Sequence, residues 1–163
     1  MSEVLVSTNN EMVEGFVNSL YYQIMLTEKY AKVFSKQLEE KYNLPITLEE
    51  LTALSIVSQH NGEIHQRKLA QIILKDRANT GRMLKHLEQQ ELISREEQTK
   101  NKRQVFVLTI TDKGLSMINT LDKIIKPVFN RISQRFPKEK MESIKTGLMG
   151  VRKVMKEILD IDI

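Results

Sequence analysis

The chain is expected to be mainly helical with one small β hairpin, an α+β fold, on three observations. Apolar residues recur at helical spacing through most of the 163 residues. The period changes to that of strands only over Leu92–Ile110, and capping or turn residues separate the periodic runs. The resulting order is α-α-α-α-β-β-α-α, with no internal repeat and no low-complexity segment.

The first helix is expected over residues 11–41, where Val13, Val17, Leu20, Ile24, Ala31, Phe34 and Leu38 form one stripe without an intervening proline. It ends before Asn43-Leu44-Pro45, because Pro45 drives Leu44 out of helical geometry. Such a helix is roughly 45 Å long. A compact monomer of this size is about 40 Å across, so the helix ends need a further surface to bury against. Thr47-x-x-Glu50 has the form of a capping box opening a second helix with Leu48, Leu51, Leu54, Ile56 and Val57 as its apolar set, stopped at His60-Asn61-Gly62. His65–Leu74 makes a short third helix burying Leu69, Ile72 and Ile73. Asp76 is a good N-cap for the fourth, with Asn79 three residues on.

Leu92–Glu97 and Gln104–Ile110 then read as two strands joined by the polar loop Gln98–Arg103, which holds three cations and no apolar residue. Thr111-Asp112-Lys113-Gly114 ends the hairpin and starts a fifth helix carrying Leu115, Ile118, Leu121, Ile125, Val128, Phe129 and Ile132, in which Pro127 should cause a bend. Phe136-Pro137 closes it, and a last helix follows through Met141, Ile144, Leu148, Val151, Val154, Met155 and Ile158. Three parts are expected: 1–43 an N-terminal helix, 44–114 a central domain, and 115–163 a closing helix pair.

Composition removes whole function classes. There is no cysteine, so disulfides, thiolate zinc sites and thiol switches are excluded. The first residues, MSEVLVSTNNEMVEGF, lack a basic start and a continuous apolar run, which argues against a signal peptide, and no window approaches the roughly 18 apolar residues of a membrane helix. The expectation is a cytoplasmic protein that does not enter the membrane. No Walker loop, dinucleotide fingerprint, His-Glu-x-x-His or nucleophile elbow is present, so neither an enzyme nor a cofactor is expected. His60, His65 and His86 fall on three elements without a carboxylate cluster, and no metal is expected. Gly147-Leu148-Met149-Gly150 has the outline of an RNA-clamping loop, but it sits inside a periodic helix without neighbouring strands, and close helix packing explains it better. The net charge is +4; residues 60–114 hold 11 Lys/Arg against 7 Asp/Glu, and the remainder holds 14 of each. That asymmetry points to a polyanion.

The segment that concentrates the argument is DRANTGRMLKHLE, Asp76 to Glu88. Ala78, Met83, Leu84 and Leu87 form an apolar face, while Arg77, Asn79, Thr80 and Arg82 gather in the first two turns with Gly81 among them and Lys85 following. A helix that enters a DNA major groove, about 12 Å wide, must present polar residues outward and pack its other side on preceding helices. The positive helix end also favours phosphate. Gly81 costs up to about 1 kcal/mol of helix propensity, which suits a backbone that something approaches closely. Taken alone, such a helix is as often a solvated face, and Lys100, Lys102 and Arg103 could be a charged tip that discourages strand pairing. The conjunction decides: short helix, two-faced helix and cationic hairpin follow one another in the order of a winged helix-turn-helix.

The run KLAQIILKDRANTGRMLKHLEQQELISREEQTKNKRQVFVLTITDKG resembles the signature region of the MarR (multiple antibiotic resistance regulator) family. The residues that carry the resemblance are Leu69-Ala70, Asn79-Thr80, Arg82, Leu87-Glu88, Leu92-Ile93, Lys102-Arg103 and Thr111-Asp112-Lys113-Gly114, flanked by a long first helix and a closing pair split at Phe136-Pro137. The resemblance implies a homodimer interlocked through the first and last two helices. It implies recognition helices in successive major grooves of a near-palindromic operator, and wings in adjacent minor grooves. On it, Asn79, Thr80 and Arg82 fall on groove-facing positions and Arg103, with Lys102, on the wing tip. It further implies a repressor released by a small-molecule effector, for which Tyr21, Tyr22 and Tyr30 are the candidate lining residues. Tyrosines on a long helix are, however, more often packing residues.

Three positions depart from the family pattern. Asn101 stands where an acid usually orients the wing arginine, the strand from Arg103 to Thr111 is one residue longer, and Glu91 replaces the glycine common before Leu-Ile. A left-handed backbone at Glu91 would be strained. The rival reading is a helical interaction module whose basic hairpin binds an acidic protein.

Overall fold

The computed structural model describes residues 13–60, 62–100 and 103–159, which form two compact units divided between Leu48 and Glu49. The first unit departs from the single helix expected over 11–41. A short helical segment, 13–17, ends at Asn18-Ser19, and α1 (Leu20–Tyr42) starts afresh. The break is locally hydrogen-bonded. Ser19 is extended (φ −69°, ψ 149°) and its hydroxyl accepts from the Tyr22 N–H at 3.2 Å, while the Gln23 side-chain amide donates to the Val17 carbonyl at 3.0 Å. A serine side chain competing for backbone donors ends one helix and caps the next. Apolar periodicity continues through the break, so the stripe alone does not reveal it. At the far end Asn43 takes a left-handed conformation (φ 46°), and Glu39 gathers the return: its carbonyl accepts from the Leu44 N–H at 3.0 Å and its carboxylate from the Leu48 N–H at 2.7 Å.

The second unit contains α2 (Leu48–Gln59), β1 (Ile64–His65), α3 (Gln66–Ile72), α4 (Arg77–Gln89), β2 (Ile93–Lys100), β3 (Arg103–Ile110), α5 (Asp112–Ser133) and α6 (Lys138–Leu159). Its buried apolar residues come from every expected element but the last helix: Ala53, Leu54 and Val57 on α2, Leu69 on α3, Met83, Leu84 and Leu87 on α4, Ile93, Val107 and Leu108 on the strands, Leu121 and Ile125 on α5. Ile72 and Ile73, expected beside Leu69, are not among them: the short α3 leaves Ile72 and Leu74 exposed and Ile73 half-buried. Leu74 (φ 54°) supplies the left-handed turn between α3 and α4.

The sheet has three strands in the order β1-β3-β2, all antiparallel, with Ile64 opposite Leu108 and Arg95 opposite Leu108 on the other side. The two-residue β1 has too short a run to register as strand periodicity; it forms because Ile64 completes the ladder along β3. The wing is also longer than expected. Gln98, Thr99, Lys100 and Arg103 belong to the strands, with Lys100 paired to Arg103, so polar composition alone misplaced them in the loop. Strands of eight residues extend roughly 23 Å.

The Thr111–Gly114 run joins wing to helix. Thr111 caps α5, its hydroxyl accepting from the Gly114 N–H at 3.0 Å and donating to the Glu91 carbonyl at 2.7 Å. A Cβ on Gly114 would overlap the Leu92 carbonyl oxygen, so only glycine permits this approach. Residues 115–163 accordingly continue the second unit. α5 runs unbroken through Pro127. None of the described side chains of α6 is buried.

Candidate nucleic-acid interface

α4 begins as its sequence suggested. The Asp76 carboxylate accepts from the Asn79 N–H at 2.8 Å, which satisfies a donor that the first helical turn otherwise leaves open. The helix is then held on its inner side by Met83, Leu84 and Leu87 and by a polar clasp, His86 Nδ1 lying 2.6 Å from the carboxylate of the buried Glu50 on α2. Glu50, read from sequence as part of a capping box, thus reaches across to α4. At its C-terminal end Glu88 accepts twice from Arg95 on β2, from Nε at 2.8 Å and from Nη2. The Arg95 guanidinium also lies 5.8 Å from the Phe106 ring centre on β3. A two-donor contact fixes direction as well as distance, so α4 and the wing are coupled through Arg95.

The outward side differs from the expectation in one exchange. Thr80, placed in the groove-facing set, is fully buried, and its hydroxyl donates to the Asp76 carbonyl at 2.8 Å. Ala78, placed in the core set, is exposed. The reason is the helical angle: Thr80 shares a face with Met83, Leu84 and Leu87 at spacings of three, four and seven, whereas Ala78 lies on the line of Arg82, Lys85 and Gln89. The exposed set is therefore Arg77, Ala78, Arg82 and Lys85, with Gly81 partly exposed between them. Arg77 and Lys85 have no hydrogen-bond or ion-pair partner among the described residues, so both charges face outward uncommitted. Asn79 is half-buried, and its Oδ1 accepts from Arg82 Nη2 at 2.6 Å. The Asp76 carboxyl is held below the ordinary carboxylate range, chiefly by the Asn79 backbone N–H, then by its side-chain amide and more weakly by Arg82.

At the wing, Lys100 and Arg103 occupy the paired strand ends nearest the tip, and Lys102 lies outside the described residues. Glu91 does adopt the left-handed conformation (φ 57°) that its replacement of glycine foreshadowed. Its carboxyl, 2.9 Å from the Lys113 ammonium, is lowered by that hydrogen bond and charge.

Sequence reasoning found α3 but missed its cations. Arg67 and Lys68 are exposed there, and the Gln66 amide lies 3.6 Å from where a Gly81 Cβ would stand, at the edge of the outward face of α4. The adjacent HQRK run was the signal available, but a short helix read for its apolar residues hid it. The charge count by thirds also misled: residues 123–156 hold ten Lys/Arg against two Asp/Glu, an excess masked by the acidic residues 1–59 and by Asp122, Glu157, Asp160 and Asp162. Charge location alone therefore does not single out the hairpin; geometry does.

The tyrosines do not converge. Tyr21 and Tyr30 are separated by nine residues of α1, about two and a half turns, and so lie on opposite sides of the helix, both exposed. Tyr22 packs edge-on against Phe16, ring centres 5.5 Å apart. The three therefore do not share one face of α1. Gly147 and Gly150 have nothing within 4 Å of a built Cβ, so among the described residues they make no close packing. Among the described residues no helix is long and apolar enough to cross a membrane.

Comparison with known proteins places this architecture. Residues 46–105, from the entry to α2 through the start of β3, match the model of the MarR family. No curated protein matches the chain. Among solved structures, the MepR–DNA complex of S. aureus is similar over 83% of this chain and 98% of its own, at 18% identity and TM-score 0.69. AbsC, a MarR family transcriptional regulator from Streptomyces coelicolor, is similar over 86% and 96% at 15% identity and TM-score 0.70. A mutant MarR from E. coli complexed with operator DNA is similar over 82% and 99% at 17% identity and TM-score 0.67. At such identities the likeness is one of fold: a mainly helical winged-helix architecture with a small antiparallel sheet.

Proposed function

We propose that this chain, whose residues 46–105 match the model of the MarR family, is a transcriptional regulator and not an enzyme: a homodimeric, ligand-responsive repressor that acts in the cytoplasm on a near-palindromic operator in double-stranded DNA. The observation that carries the reading is the two-sidedness of α4. Its inner face is buried, its outer face carries Arg77, Arg82 and Lys85, and Arg95 ties it to a long hairpin. A helix of that kind fits a major groove, with Arg82 suited to a guanine edge and Arg77 and Lys85 to phosphates. Lys100, Lys102 and Arg103 are assigned to the minor groove or its flanking phosphates, and Arg67 and Lys68 to the backbone beside the recognition helix.

The homodimer is supported by unpartnered apolar surface. Val13, Phe16, Leu20 and Val33 are exposed in the first unit, and Ile144, Leu148, Val154 and Ile158 along α6. Exposed apolar stripes of this extent mark interfaces, and a second copy supplies matching ones. Two recognition helices then meet half-sites about 34–36 Å apart. Since the relatives in complex with DNA share only the fold, the test is direct. Selection from a random duplex pool should enrich a two-part site, and log affinity should fall linearly with log salt. Arg82→Ala should weaken specific binding without unfolding the protein. No salt-sensitive retention and no enrichment would end the DNA reading, and a stable monomer at micromolar concentration in sedimentation would end the dimer.

A further inference from the structure

Three side chains at successive turns of α4 are chained together. Asp76 Oδ1 accepts the Asn79 backbone N–H at 2.8 Å, and Asp76 Oδ2 accepts the Asn79 side-chain amide. The Asn79 carbonyl oxygen accepts from Arg82 Nη2 at 2.6 Å. The spacing of three places all of them along one line of the helix. An amide has a donor and an acceptor end, and here each end is engaged, which fixes which way it points. Reading adenine with an asparagine needs both ends turned to the base. Arg82, by contrast, has five donors and commits one of them to Asn79, so a parallel pair remains for guanine O6 and N7.

We propose that Asn79 is a positioning residue: clamped by Asp76, it holds the exposed Arg82 guanidinium in one orientation on the outward face of α4, and Arg82, not Asn79, reads the base. The assignment rests on the DNA-binding reading above. A free arginine must give up most of its rotamer freedom when it docks, and a guanidinium already held loses less per hydrogen bond formed. The acid has a second effect. Asp76 sets a carboxylate beside the groove-facing surface, where it weakens indiscriminate attraction to phosphate, so the relay favours the ratio of specific to non-specific binding over bare affinity.

The experiment measures base preference by selection from a random duplex pool, and the specificity ratio at fixed salt, for the full chain and for Asn79→Ala, Arg82→Ala and the double variant. Asn79→Ala keeps the backbone N–H that Asp76 caps, so the helix remains. It should relax preference at the same base positions as Arg82→Ala and lower the specificity ratio by about ten-fold, while adding nothing in the Arg82→Ala background. Asp76→Ser retains a hydroxyl cap but removes the oxygen that holds the Asn79 amide. It should relax those positions too, while raising binding to non-specific duplex. Relaxation at positions other than those of Arg82→Ala, or an equal cost in both backgrounds, overturns the assignment by making Asn79 an independent reader. If the unaltered chain selects no site at all, the DNA reading itself fails, and that result is distinguishable from either of these.

Discussion

Gly114→Ala offers a direct test of how the wing is fastened to α5. The added Cβ would lie 2.8 Å from Ile110 Cγ1 and would overlap the Leu92 carbonyl oxygen. That carbonyl is backbone and already accepts from the Thr111 N–H at 3.2 Å, so it cannot swing away as a flexible side chain could. Relief needs the first turn of α5 to withdraw by about 1 Å. Withdrawal stretches two interactions: the Thr111 cap on the Gly114 N–H, worth about 1 kcal/mol, and the Thr111–Leu92 hydrogen bond, also worth about 1 kcal/mol. Residual overpacking adds about 1 kcal/mol. Alanine recovers up to about 1 kcal/mol in helix propensity, which leaves a net loss of about 2 kcal/mol, or roughly 4–8 °C in Tm.

The control is the same substitution at Gly81, where a Cβ meets only the Gln66 amide at 3.6 Å, an ordinary contact. Gly81→Ala should therefore gain up to about 1 kcal/mol. Urea unfolding followed by circular dichroism, at one protein concentration because self-association makes stability depend on it, measures both. If Gly114→Ala were as stable as the parent, or moved with Gly81→Ala, the close approach at Leu92 would be refuted.

Two further outcomes follow from α4. Thr80→Val removes a buried hydroxyl bonded to the Asp76 carbonyl while keeping the shape. It should lower stability by about 1 kcal/mol and leave base preference in the duplex selection unchanged; altered preference at full stability would return Thr80 to the groove. The folded Asp76 and Glu91 carboxyls titrate below their ordinary values, so their contribution is fully present above the ordinary carboxylate range near pH 4. It is lost as pH falls through the lower folded values. The urea midpoint should drop on acidification below about pH 4, and more shallowly for Asp76→Asn, which keeps a cap without the titrating group. An Asp76→Asn acid limb as steep as the parent's would show that Asp76 takes no part.

Periodicity and capping chemistry are local properties, and what depends on them was legible in the chain. Asp76 and Thr111 announced helix starts, Leu69, Met83, Leu84 and Leu87 announced the core, and the order of elements announced a winged helix-turn-helix. Even the strain at Glu91 followed from one residue standing where glycine is usual. The errors fell where a local pattern admits two continuations. A polar tract such as Gln98–Arg103 is loop or exposed strand depending on whether a partner strand reaches it. An unbroken apolar stripe does not show that Ser19 will take the Tyr22 N–H and end a helix.

The alanine and threonine of α4 were exchanged because polarity was allowed to decide facing, although a threonine hydroxyl can be satisfied by its own helix at the Asp76 carbonyl. Sequence by itself determined the order of helices and strands, the buried leucines of α2, α3 and α4, and that a basic, two-faced helix would precede a hairpin. Only tertiary structure decided which side of that helix met the solvent, that Glu50 and Arg95 would hold it from two neighbouring elements, and that Asn79 would be spent on Arg82. Those are contacts between groups distant in the chain or set by angle around a helix. Their energies depend on geometry that no residue carries alone.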